Sequence, residues 1–366
     1  MSKRIIIAGG GTGGHIFPAV AIANALRKEE DAIEILFVGA KGKMEMEKVP
    51  EAGYKIRGLD IAGFDRSSLI KNIGLPFKLI KSFFQVRNII NEFKPDAVVG
   101  VGGYSSFPVL RYAQARRIPS FIHESNSFAG KSNMLLGKKA TTVFVATSGM
   151  ERFFPAGKIH VTGNPVRSDI LKTNQINKEK ALAFFGLMPG KKTLLVVGGS
   201  LGARSINEAI SQQLDQLIEN GMQLIWQTGK VDAQKWKERS KGNPHIWVDS
   251  FIRQMENAYA AADIVISRAG AMAIAELCVV QKPVVFVPFP FAAEDHQTAN
   301  AKNLVDKDAA LMVKDSETVE KLVPEVIELA GDPDRQELLR TNISKYAVTD
   351  ADVKIAKQIL RTLEHV

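Results

Sequence analysis

Two doubly wound α/β domains facing a cleft are predicted by three features of this 366-residue sequence. The order strand, glycine loop, helix occurs twice, once at the start and once past the middle. Around these units, short apolar strands alternate with segments of helical period, the pattern of parallel sheets. The length suits two domains rather than one.

The first strand is residues 4–8 (RIIIA). It runs into GGGTGGHIFP (9–18) and the apolar-periodic AVAIANALRK. Its apolar stretch is too short and too quickly followed by glycine for a signal peptide, so it reads as a strand. Further strands are IEILFVG (33–39), DAVVGVGG (96–103) and PSFIHES (119–125). VTGNPVRSD (161–169) interrupts the pattern with Gly163, Asn164 and Pro165. The expected domains are therefore 1–162 and 163–349. The second opens with TLLVVGGSLGARSINEAI (193–210), whose loop is Gly198, Gly199 and Ser200. QLIWQTG (223–229), HIWVDSF (245–251), ADIVISRAG (262–270) and PVVFVPF (283–289) follow as strands. A last helix, from about Asp350 to Leu363, has no strand after it and suits either domain.

Hydrophobic residues at 45% and charged residues at 24% suit a globular protein with a real core. The one cysteine, Cys278, excludes a disulfide framework and a cysteine-rich zinc site. No apolar run reaches the roughly 18 residues of a membrane span, so a cytoplasmic protein is expected. The net charge of +9 is uneven. Residues 1–162 hold 23 Lys+Arg against 13 Asp+Glu, and the remainder 25 against 26. A basic first half points to an anionic membrane, an anionic substrate or nucleic acid. No arginine-rich tract, zinc-finger spacing or aromatic RNA-binding motif supports nucleic acid.

Gly9, Gly11 and Gly14 satisfy the dinucleotide fingerprint, but the second strand ends Val38-Gly39-Ala40-Lys41, with no acid for a ribose. What survives is an anion-friendly backbone at a helix N-terminus. His15 follows directly, where the helix dipole disfavours its cation. A neutral imidazole suits a general base; a substrate hydrogen bond or a loop cap suits it equally. Ser200 can donate its hydroxyl to a phosphate, and the fork of Arg167 suits a diphosphate. Glu276 is placed to accept from two ribose hydroxyls. Gln297 and Asn300, at i and i+3, present amides suited to sugar hydroxyls. Asp332-Pro333-Asp334 and Asp350-Ala351-Asp352 each start a helix and read as caps, so no metal ligand is assigned.

These motifs have a family pattern. GGGTGGHIFPA, GGYSSFPV (102–109), HESNSFAGKSN (123–133), GNPVR (163–167), GGSLGARSIN (199–207), SRAGAMAIAE (267–276) and DHQTANA (295–301) together resemble the MurG family. These bacterial enzymes add N-acetylglucosamine from UDP-N-acetylglucosamine to lipid I, an undecaprenyl-diphosphate-linked acceptor, giving lipid II for peptidoglycan. The resemblance implies the GT-B glycosyltransferase fold, two Rossmann-like domains, with the C-terminal helix of about 350–366 packing back on the first. It implies an inverting transfer to the 4-hydroxyl of the N-acetylmuramyl unit, without a cofactor. It implies that Thr12, Gly13, Gly14, Asn126 and Arg167 approach the donor and that Ser200 meets its diphosphate. Ile252 would read the uracil edge through its backbone, Glu276 the ribose and Gln297 the sugar. His15, Tyr104, His123, Glu124, Asn126 and Asn133 would line the acceptor side, with His15 the first choice of base and Glu124 the second. Ser125 and Phe107 depart from the family pattern, Phe107 in the acceptor-side loop.

A lipid-linked acceptor gives the basic first half a purpose. LIKNIGLPFKLIKSFFQVRNIINEF (69–93) holds a proline-started helix with more apolar residues than one core stripe needs. Leu79, Ile80, Phe83, Val86, Ile90 and Phe93 are expected in the core. Leu69, Ile73, Leu75, Phe77 and Phe84, interleaved with Lys71, Lys78 and Lys81, are expected to dock on the anionic inner face of the cytoplasmic membrane. The rival readings are another GT-B enzyme (a diacylglycerol glycosyltransferase or a UDP-sugar epimerase), a nicotinamide-dependent oxidoreductase, and a non-catalytic membrane module. The missing ribose acid counts against the oxidoreductase.

Overall fold

The computed structural model describes residues 2–63, 74–199, 201–292 and 295–364. The chain divides into two compact units, Met1–Val166 with Asp350–Val366, and Arg167–Thr349. The boundary expected after residue 162 stands four residues earlier than this one.

The first unit is a seven-stranded parallel sheet. Its strands are β1 (Arg4–Ala8), β2 (Glu34–Ala40), β3 (Lys55–Leu59), β4 (Ala97–Gly100), β5 (Ser120–Glu124), β6 (Thr142–Val145) and β7 (Ile159–Val161), in the order β3-β2-β1-β4-β5-β6-β7. RIIIA serves a central strand because both of its faces are apolar. Ile5 and Ile7 enter the core under the helix Gly13–Glu29, while Ile6 and Ala8 enter the opposite core with Val86, Ile90 and Val109. The C-terminal helix Ala351–Leu363 packs on Gly13–Glu29, burying Ile355, Ala356, Ile359 and Leu360 in the same core.

The second unit has β8 (Lys192–Val197), β9 (Met222–Gln227), β10 (Ile246–Asp249), β11 (Ile264–Ser267), β12 (Val284–Phe286) and β13 (Leu311–Met312), in the order β10-β9-β8-β11-β12-β13. All its pairings are parallel. In each unit the strand order reverses beside the strand that carries the glycine loop, between β1 and β4 and between β8 and β11. In open α/β sheets, ligands bind outside the carboxyl ends at such a reversal.

The helix Leu75–Phe93 carries Pro76 in its first turn and differs from expectation at one core position. Val86 and Ile90 are buried, and Leu79, Phe83 and Phe93 half-buried. Ile80 is 57% exposed, beside Phe77 at 75% and Phe84 at 61%. These three recur at i, i+3 and i+7 and form one outward stripe. Leu75, expected to be outward, is half-buried. Lys78 is exposed. Lys81 is exposed too, but forms an ion pair with Asp60 at 2.9 Å. Lys71, Leu69 and Ile73 lie outside the described residues. No helix among the described residues is long and apolar enough to cross a membrane.

Candidate functional site

In the first unit the chemistry gathers at the carboxyl ends of β1, β4 and β5. The loop after β1 is locked against the loop after β4. Gly103 has φ +81°, and a Cβ there would lie 2.4 Å from the Gly10 carbonyl oxygen, so only glycine fits. Thr12 stands at the N-cap of Gly13–Glu29, and His15 is the third residue of that helix. The His15 ring lies against Gly102, where a Cβ would come within 2.8 Å of Nδ1. Burial lowers the His15 pKa; Glu124, the Val101 backbone and Glu45 pull the other way. Nδ1 is shielded from solvent and has no hydrogen-bond partner among the described residues.

His123 lies on β5 and is buried, its pKa pushed down to about 4, chiefly by that burial. Neither ring nitrogen has a well-aligned partner among the described residues. Glu124, the next residue, has its carboxylate filled. Oε1 accepts from the Asn126 backbone N–H at 3.1 Å and from Asn126 Nδ2 at 3.2 Å. Oε2 accepts from the Gly130 N–H at 3.1 Å and from Asn133 Nδ2 at 2.8 Å. Four donors match the four lone-pair sites of a carboxylate. These bonds tie Glu124 to the 124–133 loop and to the amides of Asn126 and Asn133. Tyr104 packs beside Gly11 and Gly63, and burial followed by the charge of Glu45 raises its pKa.

Glu45 is the residue that the sequence reading missed. It opens the helix Glu45–Glu51 after β2 and is 1% exposed. Its Oε2 accepts from the Gly11 N–H at 2.8 Å and its Oε1 from the Ala40 N–H at 2.9 Å. The strand β2 has no acid at its end, but the chain folds one back to the loop five residues later.

The second unit has its own cluster. Glu276, in the helix Ala271–Val280, is buried. It is clamped by Arg167, with Nε to Oε1 at 2.8 Å and Nη2 to Oε2 at 3.0 Å, and Tyr259 donates its hydroxyl to Oε2 at 3.3 Å. Burial works against the Arg167 cation, yet Glu276 leaves its pKa raised. The two residues expected on diphosphate and ribose are thus held on each other. Gln297 Oε1 accepts from the Phe289 N–H at 3.0 Å. Asn300 is 6% exposed and donates to the Ala269 carbonyl at 3.3 Å, bracing the turn after β11. Ile252 is buried after β10. Ser200 lies outside the described residues, but its loop is framed: Gln227 Nε2 donates to the Gly199 carbonyl at 3.2 Å. Arg268, which the sequence reading also passed over, binds Asp315, Ser205 and the Val287 and Pro288 carbonyls. It ties the turn after β11 to the helix Arg204–Gln212.

Of the two D-x-D strings, Asp332 caps a helix by accepting from the Arg335 N–H at 2.9 Å, and Asp350 pairs with Lys354 at 2.9 Å. Among the described residues no three His, Cys, Asp or Glu side chains gather as metal ligands.

Two family models match: the glycosyltransferase family 28 N-terminal domain over residues 5–145 and its C-terminal domain over residues 193–359. A relative from Phocaeicola vulgatus is 52% identical over 98% of this chain and 96% of its own length. Another, from Parabacteroides distasonis, is 52% identical over 99% of this chain and 98% of its own. Both are named UDP-N-acetylglucosamine--N-acetylmuramyl-(pentapeptide) pyrophosphoryl-undecaprenol N-acetylglucosamine transferase. The chain belongs to the MurG family. The crystal structure of Acinetobacter baumannii MurG matches with a TM-score of 0.76 at 29% identity, covering 98% of this chain and 99% of that one. A UDP-N-acetylglucosamine 2-epimerase matches with a TM-score of 0.70 at 15% identity, a likeness of fold alone. The two parallel-sheet units are those of the GT-B fold.

Proposed function

We propose that this chain is an inverting glycosyltransferase. It moves N-acetylglucosamine from UDP-N-acetylglucosamine to the 4-hydroxyl of the N-acetylmuramyl unit of lipid I, giving lipid II for peptidoglycan synthesis. The observation that carries this is 52% identity to relatives of that name over nearly the whole chain. The first unit takes the acceptor and the second the UDP-sugar. The acceptor oxygen attacks the anomeric carbon, its proton passes to a base, and the bond to the diphosphate breaks on the opposite face. His15 is the base: it follows the first glycine loop at a helix N-terminus, and burial favours its neutral imidazole. Thr12, Gly13, Gly14 and Asn126 approach the donor, and Tyr104, His123 and Asn133 shape the acceptor side. Glu276 binds the ribose once Arg167 turns to the diphosphate with Ser200; Ile252 reads the uracil and Gln297 the sugar.

The enzyme works as a peripheral protein on the inner face of the cytoplasmic membrane. The support is the stripe Phe77, Ile80 and Phe84 with Lys78 beside it, on the more basic half of the chain. Inserted aromatics with lysines near an anionic leaflet, at about 1 kcal/mol each, give reversible attachment.

A radiolabelled transfer assay with lipid I tests the reaction. Labelled lipid II is expected; conversion of the donor to an epimeric UDP-sugar without transfer would instead establish an epimerase. Co-sedimentation with anionic and neutral liposomes tests the surface. Binding that is equal for both, or unchanged when Phe77, Ile80 and Phe84 become Ser, sinks the membrane assignment.

A further inference from the structure

The first glycine loop has the geometry of an anion site, and one of its N–H groups, that of Gly11, is already held by an anion of the protein. Backbone N–H groups of such loops gather phosphates and carboxylates. Here the Gly11 N–H and the Ala40 N–H both point at Glu45. The fit is steric as well as polar. A Cβ on Gly10 would lie 2.3 Å from Glu45 Cδ, and one on Gly39 would lie 2.5 Å from Cγ, so these glycines make the room that the side chain fills. A carboxylate buried to this degree must be compensated by hydrogen bonds. Removing it leaves two N–H groups out of water without acceptors.

We propose that Glu45 is a positioning residue for the transfer: as an internal anion it ties Gly11 to the end of β2 and so sets the geometry of Thr12, Gly13, Gly14 and His15. The inference rests on the transferase reading above. The bond to Gly11 is one residue from Thr12 and four from His15. Gly10 is at the same time wedged under Gly103, so the loops after β1, β2 and β4 meet around this carboxylate. Its charge also reaches both His15 and Tyr104. Misplacing reacting groups by about 1 Å costs on the order of 10²-fold in rate, so a loop without its anchor loses turnover rather than donor affinity.

The test uses the full chain and the lipid I transfer assay, with the wild type in parallel. A wild type without transfer overturns the transferase reading, and this proposal with it. With an active wild type, Glu45→Gln decides, because it keeps shape but turns an amide NH₂ toward a backbone N–H. The expected result is a folded protein with kcat at least tenfold lower and KM for UDP-N-acetylglucosamine within threefold of wild type. A kcat less than tenfold below wild type, or a change confined to KM, overturns the proposal. If Glu45→Gln does not fold, Glu45→Ala is titrated with sodium formate, a carboxylate small enough for the vacated space. Formate-dependent recovery of folded, active protein upholds the internal anion, and no recovery overturns it.

Discussion

The two glycine loops share one grammar and differ in the charge that meets them. After β1 the loop encloses a carboxylate, Glu45, and its Gly11 N–H is already bonded. After β8 the loop is braced through a carbonyl by Gln227, while the neighbouring cation Arg268 holds the adjoining turn and helix. The first loop is thus tied through an N–H to a carboxylate, and the second through a carbonyl to an amide. A strand–glycine–helix unit specifies a place for an anion; whether the anion is substrate or protein depends on a residue that the motif does not contain.

If this comparison holds, loss of His15 in the first unit lowers turnover and loss of Glu276 in the second lowers donor affinity. The sharpest expected effect is from His15→Ala, which lowers kcat by roughly 10²-fold or more, the scale of a general base, with little change in KM. Loss of UDP affinity at unchanged kcat would reverse the assignment of the two units.

The next effect is on stability and belongs to the first unit. His123 titrates at about 4 when folded and near 6.5 when unfolded, so between these values the unfolded chain binds the extra proton. Stability is then lost as pH falls from 6.5 to 4, by up to about 3 kcal/mol. Unfolding in urea across this window measures it. His123→Gln is expected to flatten the dependence, and an equally steep slope in that variant would place the titrating group elsewhere.

A smaller effect tests the second unit. Glu276→Ala is expected to weaken UDP binding about tenfold, the worth of one or two hydrogen bonds to a charged group, with kcat nearly unchanged. Calorimetry with UDP decides this, and wild-type affinity would exclude a ribose role. The smallest effect is at Gly199, whose φ is +87° with no atom within 4 Å of an added Cβ. Gly199→Ala is expected to cost only about 1 kcal/mol in chemical denaturation, the strain of a left-handed residue. A much larger loss would mean that the second loop is as crowded as the first.

The sequence made the central strand of each sheet readable, because RIIIA and TLLVV are apolar on both faces and run into glycine. It did not reveal β3, β6, β7 or β13. KIRGL mixes polar residues and glycine, IHV is an exposed edge, and Leu311–Met312 is two residues long. The candidate site residues were read from the motifs that contain them. Glu45 was not, because a carboxylate that returns to a loop 34 residues away in sequence leaves no local period. The Arg167–Glu276 clamp was hidden for the same reason, its partners being 109 residues apart. Ile80 was assigned to the core by helical spacing, which cannot say which of two apolar stripes faces inward.

The docking of Ala351–Leu363 on Gly13–Glu29 has a consequence for synthesis. Chains emerge from the ribosome amino end first, at about 5–20 residues per second. The first unit lacks Ile355, Ile359 and Leu360 until the whole second unit has been made. For that interval the outer side of Gly13–Glu29 is an uncovered apolar strip on a nascent chain, a natural place for a chaperone to hold. The half that begins first is thus the half that finishes last.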